Sequence, residues 1–139
     1  MSPITEQELL QMSAADYMNP QQLGFFRHLL QKLKDETQAE IDAAREAIAS
    51  ADLSAADELD RAAAEEENRQ RLRFTERKYI LLRKIQHSLD KLEDGSYGYC
   101  EISGDPIGLQ RLLLRPTAEL SFEEKSRQEQ QERNFRKQR

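Results

Sequence analysis

The sequence is poor in residues that break helices and in residues that cross-link or ligate. It holds one cysteine, so no internal disulfide can form and a reducing cytoplasm fits. Five glycines and four prolines are present, and neither type occurs between residues 25 and 94. Tryptophan is absent. No apolar run approaches the length of a membrane span, and the N-terminus lacks a basic-then-apolar signal pattern. The two histidines, His28 and His87, fit no metal-ligand spacing. No Ser–His–Asp or Cys–His set and no phosphate-cradling glycine loop appears, so no intrinsic enzyme activity is expected. The formal net charge of −5 makes the whole molecule a poor general nucleic-acid binder.

What remains is material for long solvated helices. Hydrophobic residues make up 37% of the chain and charged residues 34%. Asn19 is placed to cap a helix, with Pro20 at its first position and Gln22 closing a capping box. Leu23, Phe26, Leu30, Leu33, Thr37, Ile41, Ala44 and Ile48 then recur in steps of three and four, the stripe of a packed helix. A single helix from there to Asp94 would leave that stripe uncovered. A turn is therefore expected at 50–57, with Ser54 and Asp57 as the capping signal for a second helix. Leu72, Tyr79, Leu82, Ile85, Leu89 and Leu92 form its stripe. The two stripes predict an antiparallel coiled-coil hairpin over 34–88, with its tip near 51–62 and arms of roughly 45 Å. Residues 55–69 offer mostly Ala and Glu, so the tip end should pack weakly.

Charge is segregated along this hairpin. Acids dominate residues 35–68 and bases dominate 69–91. Asp57 and Asp60 sit three apart at the apex, so on a helical turn they point the same way. Such a pair can reach a cationic or metal centre in a partner. Spacing alone favours the plainer reading, two acids at a helix start. Thr5 and Glu8 form a capping box for a short helix within residues 1–33, which precede the hairpin. Residues 122–139 predict a charged C-terminal helix.

Residues 97–125 have the outline of a C-x₂-C…C-x₂-C finger, with Gly104 at the knuckle. Only Cys100 keeps a thiol; the other three ligand positions read Ser103, Ser121 and Glu124. Hydroxyls are poor zinc ligands at neutral pH. Ser121-Phe-Glu-Glu124 reads instead as a capping box, the serine capping the last helix and the glutamate reaching back. Packing of Tyr97, Tyr99, Ile102, Ile107, Leu109, Leu112 and Leu114 would supply the rest of the closure, so region 89–121 is expected to fold without metal. Cys100 has no resolving partner and reads as a small core residue rather than a redox sensor.

Asp57–Glu67, Asp94–Glu101 and Pro106–Ala118 together resemble the DksA/TraR family of bacterial RNA polymerase regulators. The resemblance covers nearly the whole chain. At the metal site it is to the family's zinc-free members rather than its four-cysteine ones. It implies a mainly α fold, with a coiled-coil hairpin on a small globular domain. It implies that the hairpin enters the secondary channel of RNA polymerase and that Asp57, Asp60 and Ala62 act near the catalytic centre. Arg77 matches a contact to the channel rim. Leu81, Lys84, Arg115 and Lys125 match positions that, with polymerase, bind the stringent-response alarmone guanosine tetraphosphate. The plainer reading of these bases is surface charge, and of Arg111 a structural salt bridge.

The resemblance implies a cytoplasmic, monomeric regulator that binds polymerase rather than DNA or membrane. It would need no resident cofactor, repress ribosomal RNA promoters and activate some amino-acid biosynthesis promoters. Rival readings are a transcript-cleavage factor with the same channel-inserting shape, a structural coiled-coil adaptor and a DNA-binding finger. The missing zinc ligands and the acidic balance speak against the last.

Overall fold

The computed structural model describes residues 4–51, 53–54 and 57–137. Among them are five α-helices: α1 (Glu6–Gln11), α2 (Pro20–Ala49), α3 (Glu58–Asp94), α4 (Leu109–Leu114) and α5 (Phe122–Lys137), with a 3-10 turn at Ala14–Asp16. No strand occurs among the described residues, and Tyr99 and Pro106 form an isolated antiparallel bridge. The fold is mainly α, as the periodicity predicts. The chain divides into two compact units, residues 31–87 and residues 1–30 with 88–139. Helices α2 and α3 each contribute to both.

The helix starts follow from their caps. The Thr5 hydroxyl accepts the Glu8 N–H at 3.2 Å. Asn19 Oδ1 accepts the Gln22 N–H at 2.9 Å, and Gln22 Oε1 accepts from Met18 N–H, one residue further back than a standard box. The start of α3 differs from expectation. Its cap is Asp57, not Ser54: the Asp57 carbonyl accepts the Arg61 N–H at 3.0 Å and its carboxylate accepts the Leu59 N–H at 2.9 Å. Glu58 and Asp60 then occupy the first turn, where the helix dipole favours acids. Asp52, Ala55 and Ala56 of the expected turn lie outside the described residues.

In the 31–87 unit the two helices run antiparallel. Lys34 Nζ donates to Gln86 Oε1 at 3.0 Å, Lys78 pairs with Glu40 at 2.8 Å, and Arg45 donates to the Tyr79 hydroxyl at 3.4 Å. Lys34 thus faces residue 86 of α3, whereas Glu40 and Arg45, further along α2, face the earlier residues 78 and 79. Ile41 and Ile85 are fully buried, and Thr37 is buried with its hydroxyl donating to Leu33 O at 2.7 Å. On α3 the seam departs from the apolar stripe: Leu72 is 48% exposed. Counting back from Ile85 in helical steps gives Leu82, Lys78, Thr75, Arg71 and Asn68. Thr75 is buried and satisfies itself by donating to Arg71 O at 2.8 Å, while Lys78 and Arg71 lie half-covered, their stems over the seam. The seam thus turns polar toward the tip, and Asn68 Oδ1 is enclosed without a hydrogen bond.

The other unit closes around Tyr97. Its ring lies 5.5 Å from that of Phe26, and its hydroxyl donates to Pro116 O at 2.8 Å. Leu9, Leu30, Leu92, Ile107 and Leu112 complete the core. Helix α3 ends where the Lys91 carbonyl accepts the N–H groups of Gly95, Ser96 and Tyr97, with Gly95 at φ 85°. Of the residues expected to pack here, Tyr97, Ile107 and Leu112 are buried and Tyr99 and Leu109 half-buried. Ile102 and Leu114 instead face solvent. Ile102 lies in the knuckle turn and Leu114 on the last residue of α4, beyond the reach of the core.

Two substitutions should move the hairpin in opposite directions. Ile41→Ala leaves a cavity in the fully buried seam and should cost about 3 kcal/mol. Asn68→Leu removes the unsatisfied oxygen and should gain about 1 kcal/mol. Thermal unfolding followed by circular dichroism reads both; a lowered midpoint for Asn68→Leu would contradict the seam assignment.

Candidate functional site

At the hairpin tip the two acids have different jobs. Asp57 precedes α3 and its carboxylate is turned to the Leu59 N–H. Asp60, inside the first turn, is exposed and makes no hydrogen bond or ion pair among the described residues. They are not an equivalent pair on one helical face, as their spacing had suggested. Ala62 is exposed one residue beyond Arg61. The sequence reading passed over two leucines here, Leu53 (42% exposed) and Leu59 (77% exposed), that put apolar surface among the acids. The signal was available: neither falls on a seam position.

Along the shaft, Arg77 and Lys84 are exposed and carry no hydrogen bond or ion pair among the described residues. Leu81 is half-buried. All three belong to the 31–87 unit. Arg115 and Lys125 belong to the other unit. Arg115 follows α4 and is exposed, and Lys125, in the first turn of α5, donates to Gln128 at 3.2 Å. Among the described residues Arg111 forms no salt bridge: its Nε donates to Leu120 O at 3.0 Å and ties α4 to the entry of α5.

The finger-like knuckle is closed by hydrogen bonds. Cys100 N–H donates to Asp105 O at 2.8 Å, and Gly104 N–H returns to Cys100 O at 2.9 Å, with Gly104 at φ 76°. Ile107 N–H donates to Gly98 O at 2.8 Å, and Glu101 N–H to Glu119 O at 2.9 Å. The Tyr17 hydroxyl donates to Gly98 O at 2.6 Å and accepts the Gly108 N–H at 2.9 Å, so the N-terminal segment clasps both sides of the knuckle. Gly98 must be a glycine: its φ is 93° and a Cβ there would stand 2.9 Å from Met18.

Two of the other finger positions, Ser103 and Ser121, act on the Cys100 thiol. Burial raises the thiol's pKa, but hydrogen bonds from the Ser103 hydroxyl and from the N–H groups of Ser103, Ser121 and Ile102 outweigh it and bring it down to about 6. Ser103 Oγ also accepts the Asp105 N–H at 3.3 Å. Ser121 caps α5 as expected, accepting the Glu124 N–H at 3.3 Å. Glu124 does not reach back; its carboxylate pairs forward with Arg127 at 3.4 Å. One thiol, two hydroxyls engaged with the backbone and a carboxylate turned to an arginine do not suit zinc.

Cys100 should make stability depend on pH. An acid whose pKa falls from 9.0 unfolded to about 6 folded stabilises fully above the unfolded value. That contribution is lost as pH drops through the folded one. The difference in urea midpoint between wild type and Cys100→Ala should therefore grow as pH rises from about 6 to about 9. A difference that stays flat across this range would show that the sulfur does not collect these donors.

Comparison with known proteins agrees with this architecture. A family model described as "DnaK suppressor protein DksA, N-terminal domain" matches residues 22–92, and one described as "Prokaryotic dksA/traR C4-type zinc finger" matches residues 95–130. The chain is 41% identical over 120 residues to the RNA polymerase-binding transcription factor DksA of Caulobacter vibrioides, covering 86% of this chain and 84% of that one. It is 38% identical over 120 residues to the protein of the same name from Escherichia coli, covering 86% and 80%. It is also similar to the solved structure of transcription factor DksA2 from Pseudomonas aeruginosa, at 47% identity and a TM-score of 0.83, over 93% of this chain and 99% of that one. These matches span at least 80% of each relative, and the chain belongs to the DksA family.

Proposed function

We propose that this protein is a zinc-independent transcription regulator that binds RNA polymerase directly. The observation that carries the reading is the tip: an exposed, unpaired Asp60 beside the capping Asp57, at the end of a hairpin whose seam grows polar toward it. The hairpin enters the secondary channel, and Asp57, Asp60 and Ala62 act near the catalytic centre to weaken promoter open complexes. Output falls where those complexes are short-lived, as at ribosomal RNA promoters, and rises at some amino-acid biosynthesis promoters. Arg77 meets the channel rim. Leu81, Lys84, Arg115 and Lys125, completed by polymerase, take guanosine tetraphosphate, whose phosphates suit guanidinium and ammonium groups.

The protein acts without chemistry of its own, as a monomer in the cytoplasm, without direct DNA binding. Zinc independence is supported by the donor set at Cys100, Ser103, Ser121 and Glu124. A cleavage factor needs acids free to hold a catalytic metal. With Asp57 engaged as a cap, Asp60 is the acid of that pair left free.

Multi-round transcription from a ribosomal RNA promoter tests this reading, with and without guanosine tetraphosphate. Asparagine caps helices about as well as aspartate, so tip variants to Asn keep α3 intact. Wild type should inhibit, and Asp60→Asn, alone or with Asp57→Asn, should lose the inhibition at an unchanged melting temperature. Full inhibition by the double variant would contradict the tip assignment. RNA shortening in stalled complexes would assign cleavage instead.

A further inference from the structure

The N-terminal segment meets the knuckle at a strained residue. Among the described residues Met18 is the one non-glycine with positive φ, 55°. A backbone of that kind persists where its surroundings hold it. Two contacts hold this one. The Met18 N–H donates to Oε1 of the fully buried Gln22 at 2.9 Å. The side chain lies against the buried Gly98: a Cβ there would stand 2.9 Å from both Cγ and Sδ and 3.0 Å from Cε. The preceding residue, Tyr17, makes the clasp, and its hydroxyl accepts the N–H of Gly108, the residue before α4.

The chain has three methionines, of which Met1 lies outside the described residues. The sulfurs of the other two differ. Met12 Sδ accepts from Gln22 Nε2 at 3.4 Å and from Asn19 Nδ2 at 3.9 Å. Those bonds engage the lone pairs through which a thioether attacks an oxidant. Met18 Sδ receives no hydrogen bond among the described residues. Its side chain is half-buried, so a small oxidant can reach it.

We propose that Met18 is a site of modification by hydrogen peroxide, and that its oxidation opens the Tyr17 clasp. The sulfur lone pair attacks one peroxide oxygen, an S–O bond forms, the O–O bond breaks, and water leaves with both protons. The thioether is oxidised by two electrons to the sulfoxide and the peroxide is reduced by two. The new oxygen is a polar group set where the sulfur packs closely on Gly98, and burying it there without a donor is unfavourable. The side chain swings out, the strained φ relaxes, and the adjacent Tyr17 hydroxyl leaves Gly98 and Gly108.

The test titrates the purified full chain with hydrogen peroxide. Peptide mass spectrometry locates the added oxygen, and amide exchange followed by NMR reads the Gly108 N–H. Exchange there should rise roughly tenfold or more once Met18 carries oxygen. Dithiothreitol, which reverses sulfenic acid at Cys100, should leave the rise in place, and methionine sulfoxide reductases should abolish it. Met18→Leu, which forms no sulfoxide, should keep slow exchange under peroxide; if that variant does not fold, the reductase arm decides alone. Oxidised Met18 with unchanged Gly108 exchange would overturn the latch. Oxidation of Met12 ahead of Met18, or a Met18 that resists peroxide, would overturn the choice of sulfur. A rise that dithiothreitol reverses would assign the effect to Cys100 and equally overturn the proposal.

Discussion

The finger-like unit closes around Cys100, through hydrogen bonds of the main chain. The knuckle turn, through Ile102 and Ser103, and the entry to α5, through Ser121, lie near enough to lower the pKa of its thiol to about 6. In a four-cysteine finger, metal–sulfur bonds would hold the turn and the helix start together. Here main-chain hydrogen bonds occupy that place: Cys100 N–H to Asp105 O, Gly104 N–H to Cys100 O and Glu101 N–H to Glu119 O. The Tyr17 clasp and the buried Tyr97 ring pack around this point.

The hairpin obeys a different constraint. Its seam is apolar where α2 offers Ile41 and α3 offers Ile85, then becomes Lys78, Thr75, Arg71 and Asn68. Each polar group but one is satisfied locally or keeps its charge in water. The exception is Asn68, whose enclosed oxygen has no partner and costs stability. Such a seam trades rigidity near the tip for exposed acids and leucines at its end.

Much of this was legible in the sequence because caps and periods are local. Thr5, Asn19 and Ser121 were readable as caps, and the α2 stripe from Leu23 to Ile48 runs through buried or half-buried positions. The failures share a cause. Ser54 and Asp57 both suit a helix start, and only the backbone decides which carbonyl accepts the first helical bond. Leu72 reads as a seam residue because it is apolar, yet the helical count passes through Arg71 and Thr75. Glu124 had two partners within reach, and Arg127 won. The exposure of Leu114 and Phe122 depends on how three short segments meet, which no local pattern encodes.

The central claim is that the knuckle holds itself shut without metal. Native mass spectrometry of protein purified from zinc-supplemented culture, paired with melting curves before and after chelation, tests it most directly. The account predicts a mass equal to that of the bare chain and a melting temperature that chelation leaves unchanged. One zinc per chain, with melting lowered on its removal, would contradict it.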